Sequence, residues 1–263
     1  MKKIRTILRK EWAEVFKNKL VVFSVVFLPL LFAAIPLIML GTMKGLSVSS
    51  ASASEIPPQF AQICPEDLGG VECFQLYMMS SFMLMFMMTP LIVPVNIAAQ
   101  SVVSEKTSRS LEPLLATPIT TFELLAAKNL AASIPAVLAT WVGFGIYVVG
   151  TVIIGVSPAL VRALFDPLWL IAVFVDGPLM AILSVNFSLL VSSRVNDARA
   201  AEQISAVIVM PLLVLFLGQI SGFLIINRLV VLLMALVLVL LDAAMLVLAI
   251  RLFQREAILT RWR

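Results

Sequence analysis

The side chains that could do chemistry in this chain are few, and several usual ones are missing. There is no histidine among 263 residues, which removes a Ser-His-Asp triad and the commonest metal ligand, so no metal site is expected. A phosphate-cradling loop needs Gly-x-x-x-x-Gly-Lys-Ser/Thr, and no Gly-Lys pair occurs anywhere. What remains are two carboxylates set deep in apolar sequence, Asp176 and Asp242, with the amides Asn96, Gln100, Asn186 and Gln219. Ionisable groups inside a membrane cost at least ~2.5 kcal/mol and face a bundle interior or a wet cavity. Such residues join helices or line a pathway, and both readings stand for Asp176, Asp242, Asn96 and Asn186. Gly177-Pro178 directly follows Asp176 and loosens the helix beside it, which tilts that acid toward function.

The elements that must position these groups follow from composition. The chain is 61% hydrophobic and 13% charged, with a mean hydropathy of +1.08; soluble domains run near 25% charged. Crossing a ~30 Å hydrocarbon core takes roughly 20 apolar residues. Six runs qualify: Leu20 to Leu40, Met78 to Val103, Leu130 to Gly155, Leu168 to Val191, Ile204 to Phe223 and Leu229 to Ile250. Backbone groups in lipid must be satisfied within the segment, so the runs are helices. The expected fold is all-α and integral to the membrane, a single domain over residues 1–263. Pro29, Pro36, Pro90, Pro94, Pro135, Pro178 and Pro211 mark kinks or broken turns. At 1.5 Å per residue, Asp176 and Asp242 lie about 12 and 20 Å below the outer edge. That offset of roughly 8 Å is too large for a shared proton, so an intramembrane aspartyl protease is disfavoured.

Orientation comes from Lys and Arg. The N-terminal stretch, the 104–129 connection, the 192–203 connection and the C-terminal tail hold 16 of them, against 3 in the other connections (Lys44, Arg162, Arg228). Both termini are therefore expected in the cytoplasm of a multi-pass cell-membrane protein. The net charge of +4 reflects this bias and carries no nucleic-acid signature. A cleaved signal peptide is the rival reading of the first run, but a secretory core spans 7–15 residues and this run is about 21 residues long.

Before that run, Ile4, Ile7, Leu8, Trp12, Val15 and Phe16 recur at helical spacing among Lys and Arg. The pattern predicts an interfacial helix over 1–19 with its apolar side among lipid headgroups. The outer connection 41–77 holds both cysteines, Cys64 and Cys73, which form a disulfide in an oxidising exterior or stand as free thiols. Residues 78–88 contain Met78, Met79, Met83, Met85, Met87 and Met88. They are apolar filling, an adaptable wall for hydrophobic cargo, or a soft-metal surface.

The most informative stretch interrupts the apolar runs: "SVVSEKTSRSLEPLLATPITTFELLAAKN" at 101–129. Ser110 can cap a short helix with Pro113 in its first turn, and Thr117-Pro118 stops it. Thr120 followed by Glu123 is a capping-box pattern that begins a second helix. The short helix carries Leu111, Leu114 and Leu115 on one face.

"SEKTSRSLEPLLATPIT" resembles the cytoplasmic signature of type-2 ABC transporter permeases. The matching residues are Glu105, Lys106, Leu111, Glu112, Leu114, Leu115, Thr117 and Pro118. The chain departs at Thr107, where an acid is common, and at Arg109-Ser110, where Gly-Thr is common. The resemblance extends to the organisation of the whole chain: N-terminal amphipathic helix, six spans, and a larger outer loop after the first. It implies that residues 104–129 contain a coupling helix gripped by an ABC ATP-binding subunit, with Glu105 and Glu112 supplying ionic contacts and the leucines an anchor. It further implies a second permease chain, the same or different, and an exported substrate that the sequence does not name. ATP and Mg would reside on the ATPase, with no cofactor in this chain. A stand-alone transporter driven by protons or sodium through Asp176 and Asp242 is the alternative, and it has no use for a coupling segment.

Overall fold

The computed structural model describes residues 2–45, 70–107, 119–224 and 226–252. Helix α1 (Lys2–Lys17) leads through Asn18 into α2 (Lys19–Gly45). α3 (Gly70–Phe86) and α4 (Thr89–Thr107) form the second span, and α5 (Thr121–Ile154) the third. α6 (Pro158–Leu164), α7 (Pro167–Ile171), a π-helical turn (Ala172–Asp176) and α8 (Gly177–Arg194) make the fourth. α9 (Ala198–Ser205), a 3-10 turn (Ala206–Val209) and α10 (Met210–Ile220) make the fifth, and α11 (Arg228–Leu252) the sixth. The six expected spans are all present, and no strand occurs among the described residues. Most of the outer connection, Cys64 included, lies outside the described residues, as do Leu111, Glu112, Leu114, Leu115, Thr117 and Pro118.

Proline chemistry accounts for the breaks. Met87 and Met88 form a turn between α3 and α4, just ahead of Pro90, which has no N–H to donate to a continuous ladder. Pro178 likewise cannot donate to the carbonyl four residues back. The preceding turn widens, and the Gly177 N–H reaches five residues back to the Ala172 carbonyl. Pro211, in the first turn of α10, follows the 3-10 turn of the fifth span. Pro29, Pro36, Pro94 and Pro135 stay inside their helices.

The bundle is centred on the second span. Within its most apolar window 78% of residues are buried, against 11% in the sixth span. α4 and α8 run side by side in the same direction, with Ser184 Oγ donating to the Leu91 carbonyl (2.5 Å) and Ser188 Oγ to the Val95 carbonyl (3.4 Å). Both pairs advance by four residues, so small hydroxyl side chains set one register and let the backbones approach. α2 meets α5 as closely: a Cβ at Gly150 would sit 2.5 Å from Leu37 Cδ1, so a larger residue there would displace the Leu37 side chain. α5 then ends at Gly155, whose φ of 71° is the left-handed cap that glycine adopts without strain. Met79, Met83, Met87 and Met88 are buried in the main core with Phe86, Tyr147 and Met180. These four methionines are packed in the interior of the bundle.

The third span is where the sequence reading and the structure differ most. α5 begins at Thr121, nine residues before Leu130, and carries Lys128 and Asn129 as buried residues. Its start is the expected capping box: the Glu123 N–H donates to Thr120 Oγ1 (3.2 Å) and the Thr120 N–H to Glu123 Oε2 (3.0 Å). A charged residue inside this helix survives only because partners meet it.

Candidate functional site

Those partners converge at the end of the bundle that carries residues 107 and 119, where the chain leaves α4 and returns toward α5. α1 turns Ile7, Glu11 and Val15, spaced four apart, into the protein. Glu11 is 2% exposed and Glu105 3%. The Lys128 ammonium lies 2.9 Å from Glu11 Oε1 and 2.7 Å from Glu105 Oε2, and donates to Ser101 Oγ at 2.7 Å. The contacts to Glu11 and Ser101 are hydrogen bonds, while that to Glu105 Oε2 is an ion pair. Ser101 in turn donates to Glu11 Oε2 (2.7 Å), closing a ring, and Lys10 donates to Glu105 Oε1 (2.6 Å). Two carboxylates and two ammoniums make the cluster neutral, which is the condition for tolerating buried charge. Burial would lower the pKa of Lys10, but the hydrogen bond and charge of Glu105, then Glu11 and Glu14, outweigh it and hold the ammonium above its ordinary 10.5.

The cluster binds three elements into one piece: α1, the last turns of α4, and the first turns of α5. Two further links brace it. Trp12 Nε1 donates to the Ala131 carbonyl (3.2 Å), and Lys106 donates to the Ser193 carbonyl (3.3 Å) near the C-terminus of α8, where a cation is favoured. Within this chain Glu105 pairs with Lys10 and Lys128 instead of pointing outward. The register of α4 turns it inward, and its carboxylate is committed within the chain. Phe16, expected among lipid headgroups on the apolar side of α1, is 63% exposed and stands off the Ile7–Glu11–Val15 face that packs into the protein.

Beside the cluster lie two adjoining hollows of about 510 and 560 Å³ that share Asn18, Val21, Gln100 and Ser104. Asn18 Nδ2 donates to Gln100 Oε1 (2.7 Å), and Gln100 Nε2 donates to Glu202 Oε1 (3.1 Å), linking the α1–α2 junction to α4 and α9. Asn96 lines the second hollow and is half-buried. Asn186 is buried and accepts from Asn129 Nδ2 (2.8 Å), joining α5 to α8. Gln219 joins helices too, donating to Ser80 Oγ (2.7 Å).

The two intramembrane acids are separate. Asp242 on α11 has Asn186 as a polar neighbour, though neither of its carboxyl oxygens completes a hydrogen bond. Asp176 lies ten residues before Asn186 in the chain, about 15 Å along the helix axis. Asp176 is 0% exposed, ends the π-helical turn, and has no hydrogen-bond partner on either oxygen among the described residues. Cys73 is disulfide-bonded, and the chain's other cysteine is Cys64.

The sequence reading missed Glu11 and Lys128. One signal was available: a lone acid in the apolar stripe of a basic helix, four residues from Ile7 and from Val15. No curated protein matches the chain. The family model of the ABC-2 family transporter protein matches residues 5–232, which includes most of α1, all of the first five spans and the start of the sixth. With six apolar helices and this match over most of its length, the chain belongs to the ABC-2 family of transporter proteins.

Proposed function

We propose that this chain is the permease half of an ATP-driven exporter, with both termini in the cytoplasm of the cell. It pairs with a second permease chain and takes its energy from a separate ABC ATP-binding subunit that carries ATP and Mg²⁺. Family membership supports the transport role and does not favour the stand-alone proton- or sodium-driven alternative.

The single observation that carries the coupling role is the Lys128–Glu105–Glu11 cluster at the root of residues 108–118. A partner that moves this short segment must move α4 and α5, because both helix ends are tied to each other and to α1. Such a joint transmits rigid-body motion instead of absorbing it. In this reading Leu111, Leu114 and Leu115 anchor the ATPase, Glu112 adds an ionic contact, and Thr117-Pro118 stops the helix. Glu105 and Lys106 fix the base from inside. The hollows lined by Asn96 and Gln100 are the inward-facing start of the pathway, and Asp176 lies farther along it.

The test is Glu112→Lys and Leu115→Asp, each measured for co-purification with the ATPase and for ATP-driven transport. Charge reversal repels the partner, and an unpaired buried Asp is costly. Both variants are expected to insert and fold normally while losing at least tenfold in coupled transport, which corresponds to about 1.4 kcal/mol. Wild-type co-purification and transport in both would overturn the docking role.

A further inference from the structure

We propose that α1 carries a binding site for one anionic phospholipid of the leaflet at the basic end of the bundle, gripped by Arg5 and Arg9 over Leu8 and Trp12. These four residues stand at i, i+3, i+4 and i+7, one continuous face of the helix. They do not share the Ile7–Glu11–Val15 face, which is turned into the protein. A hollow of about 640 Å³ lies over this second face, lined by Arg5, Thr6, Leu8, Arg9 and Trp12. The basic residues nearer the core are engaged: Lys10 and Lys128 hold Glu105 and Glu11. Arg5 and Arg9 are exposed and form no ion pair or hydrogen bond with any described residue.

Depth decides which anion fits. Ile7 packs with Leu124 and Ala127, Glu11 meets Lys128, and Trp12 meets Ala131. α1 therefore advances along α5 toward the membrane, and Trp12 reaches the level of Leu130, where the apolar run of the third span begins. Indole rings favour that boundary. Arg5 and Arg9 lie on its aqueous side, at the level of phosphates, with the apolar Leu8 between them, while Trp12 lies against the glycerol and upper acyl region. Two guanidinium forks about 6 Å apart on a helix suit one phosphodiester, which each can meet in bidentate fashion. A soluble phosphate would satisfy the arginines and leave Leu8 and Trp12 without a role. The indole is already oriented by its bond to the Ala131 carbonyl, so binding orders little that is not ordered before.

The proposal rests on the membrane placement of the chain and not on the docking of an ATPase, so its test uses the purified permease alone in nanodiscs. Phosphatidylglycerol or phosphatidylcholine with brominated acyl chains quenches tryptophans within contact, and the Trp12 share is the difference between wild type and Trp12→Phe. Trp12 should be quenched several-fold more efficiently by the brominated anionic lipid at equal mole fraction. The double variant Arg5→Gln/Arg9→Gln should lose most of that preference, since each basic residue near an anionic surface is worth up to about fivefold. Arg5→Lys/Arg9→Lys should keep part of it, and unchanged helicity would show that the variants fold. Equal quenching by the two lipids in wild type overturns the proposal. So does a preference that survives in the Gln variant, because the remaining lysines would then account for it. No lipid preference combined with lost ATPase co-purification in the Gln variant would instead make this face a protein contact.

Discussion

Glu105 and Asp176 are both carboxylates on the parallel helical segments at the centre of the bundle, 3% and 0% exposed. Their surroundings are opposite. Glu105 has Lys128 and Lys10 within 2.7 Å, whereas Asp176 has no hydrogen-bond partner on either oxygen among the described residues. Burial is costly for either charge and is offset only at the first. The first acid sits where three elements must move as one, and its pairing supplies the stiffness. The second sits where the helix is already loosened, at a π-helical turn followed by Gly177-Pro178. π-turns of this kind cluster at functional positions. In the proposed mechanism compensation marks the joint, and its absence marks a place able to change state.

The most severe way to break this contrast is Lys128→Met. It leaves Glu11 and Glu105 buried, with only the half-exposed Lys10 still bonded to Glu105. Removing one partner of a buried ion pair costs about 3–5 kcal/mol, so the apparent melting temperature in detergent should fall sharply. Adding Glu11→Gln and Glu105→Gln to Lys128→Met removes the stranded charges and should restore most of the loss. A single variant that melts like wild type would show that the cluster adds no stiffness.

Why this joint escaped the sequence while its neighbour did not is a matter of range. The Thr120–Glu123 capping box is complete within four residues, so the types and spacing alone specify it. Glu11 and Lys128 are 117 positions apart, and Lys10 and Glu105 95. Nothing local distinguishes Lys128 from a solvated charge closing a connection, which is why the third span was read as starting at Leu130. The spans were legible because lipid requires long apolar runs, whereas the π-turn was legible only as a proline that had to disturb something. The inward turn of Glu105 depends on the rotation of α4 within the bundle, which no motif encodes.

The other side of the contrast is tested by Asp176→Asn and Asp176→Leu. Because the carboxyl oxygens have no partners, neither change removes a bond, and an apolar group of similar size in such a site is neutral or stabilising. Melting should hold or rise, while substrate-stimulated ATP hydrolysis and transport fall by about tenfold, equivalent to about 1.4 kcal/mol. Asp242→Asn, beside Asn186, should disturb transport less. Full activity in both Asp176 variants with raised stability would reduce that acid to an idle buried group.

The smallest effect is expected at the rim of the cluster. Lys10 is 39% exposed on its side chain, and its bond to Glu105 is partly screened by solvent, so Lys10→Met should cost no more than about 1 kcal/mol. Its pH dependence has a definite sign. The pKa of Lys10 is raised in the folded chain above the ordinary 10.5, so its contribution is fully present below the unfolded value. It is lost only as pH climbs through the higher folded one. The difference in melting temperature between wild type and Lys10→Met should therefore stay constant from pH 6 to pH 9 and close only in more alkaline solution. A gap that changes within the neutral range would mean that the group titrating there is one of the buried acids, and that Glu105 is less firmly held as an anion than its two ammonium partners require.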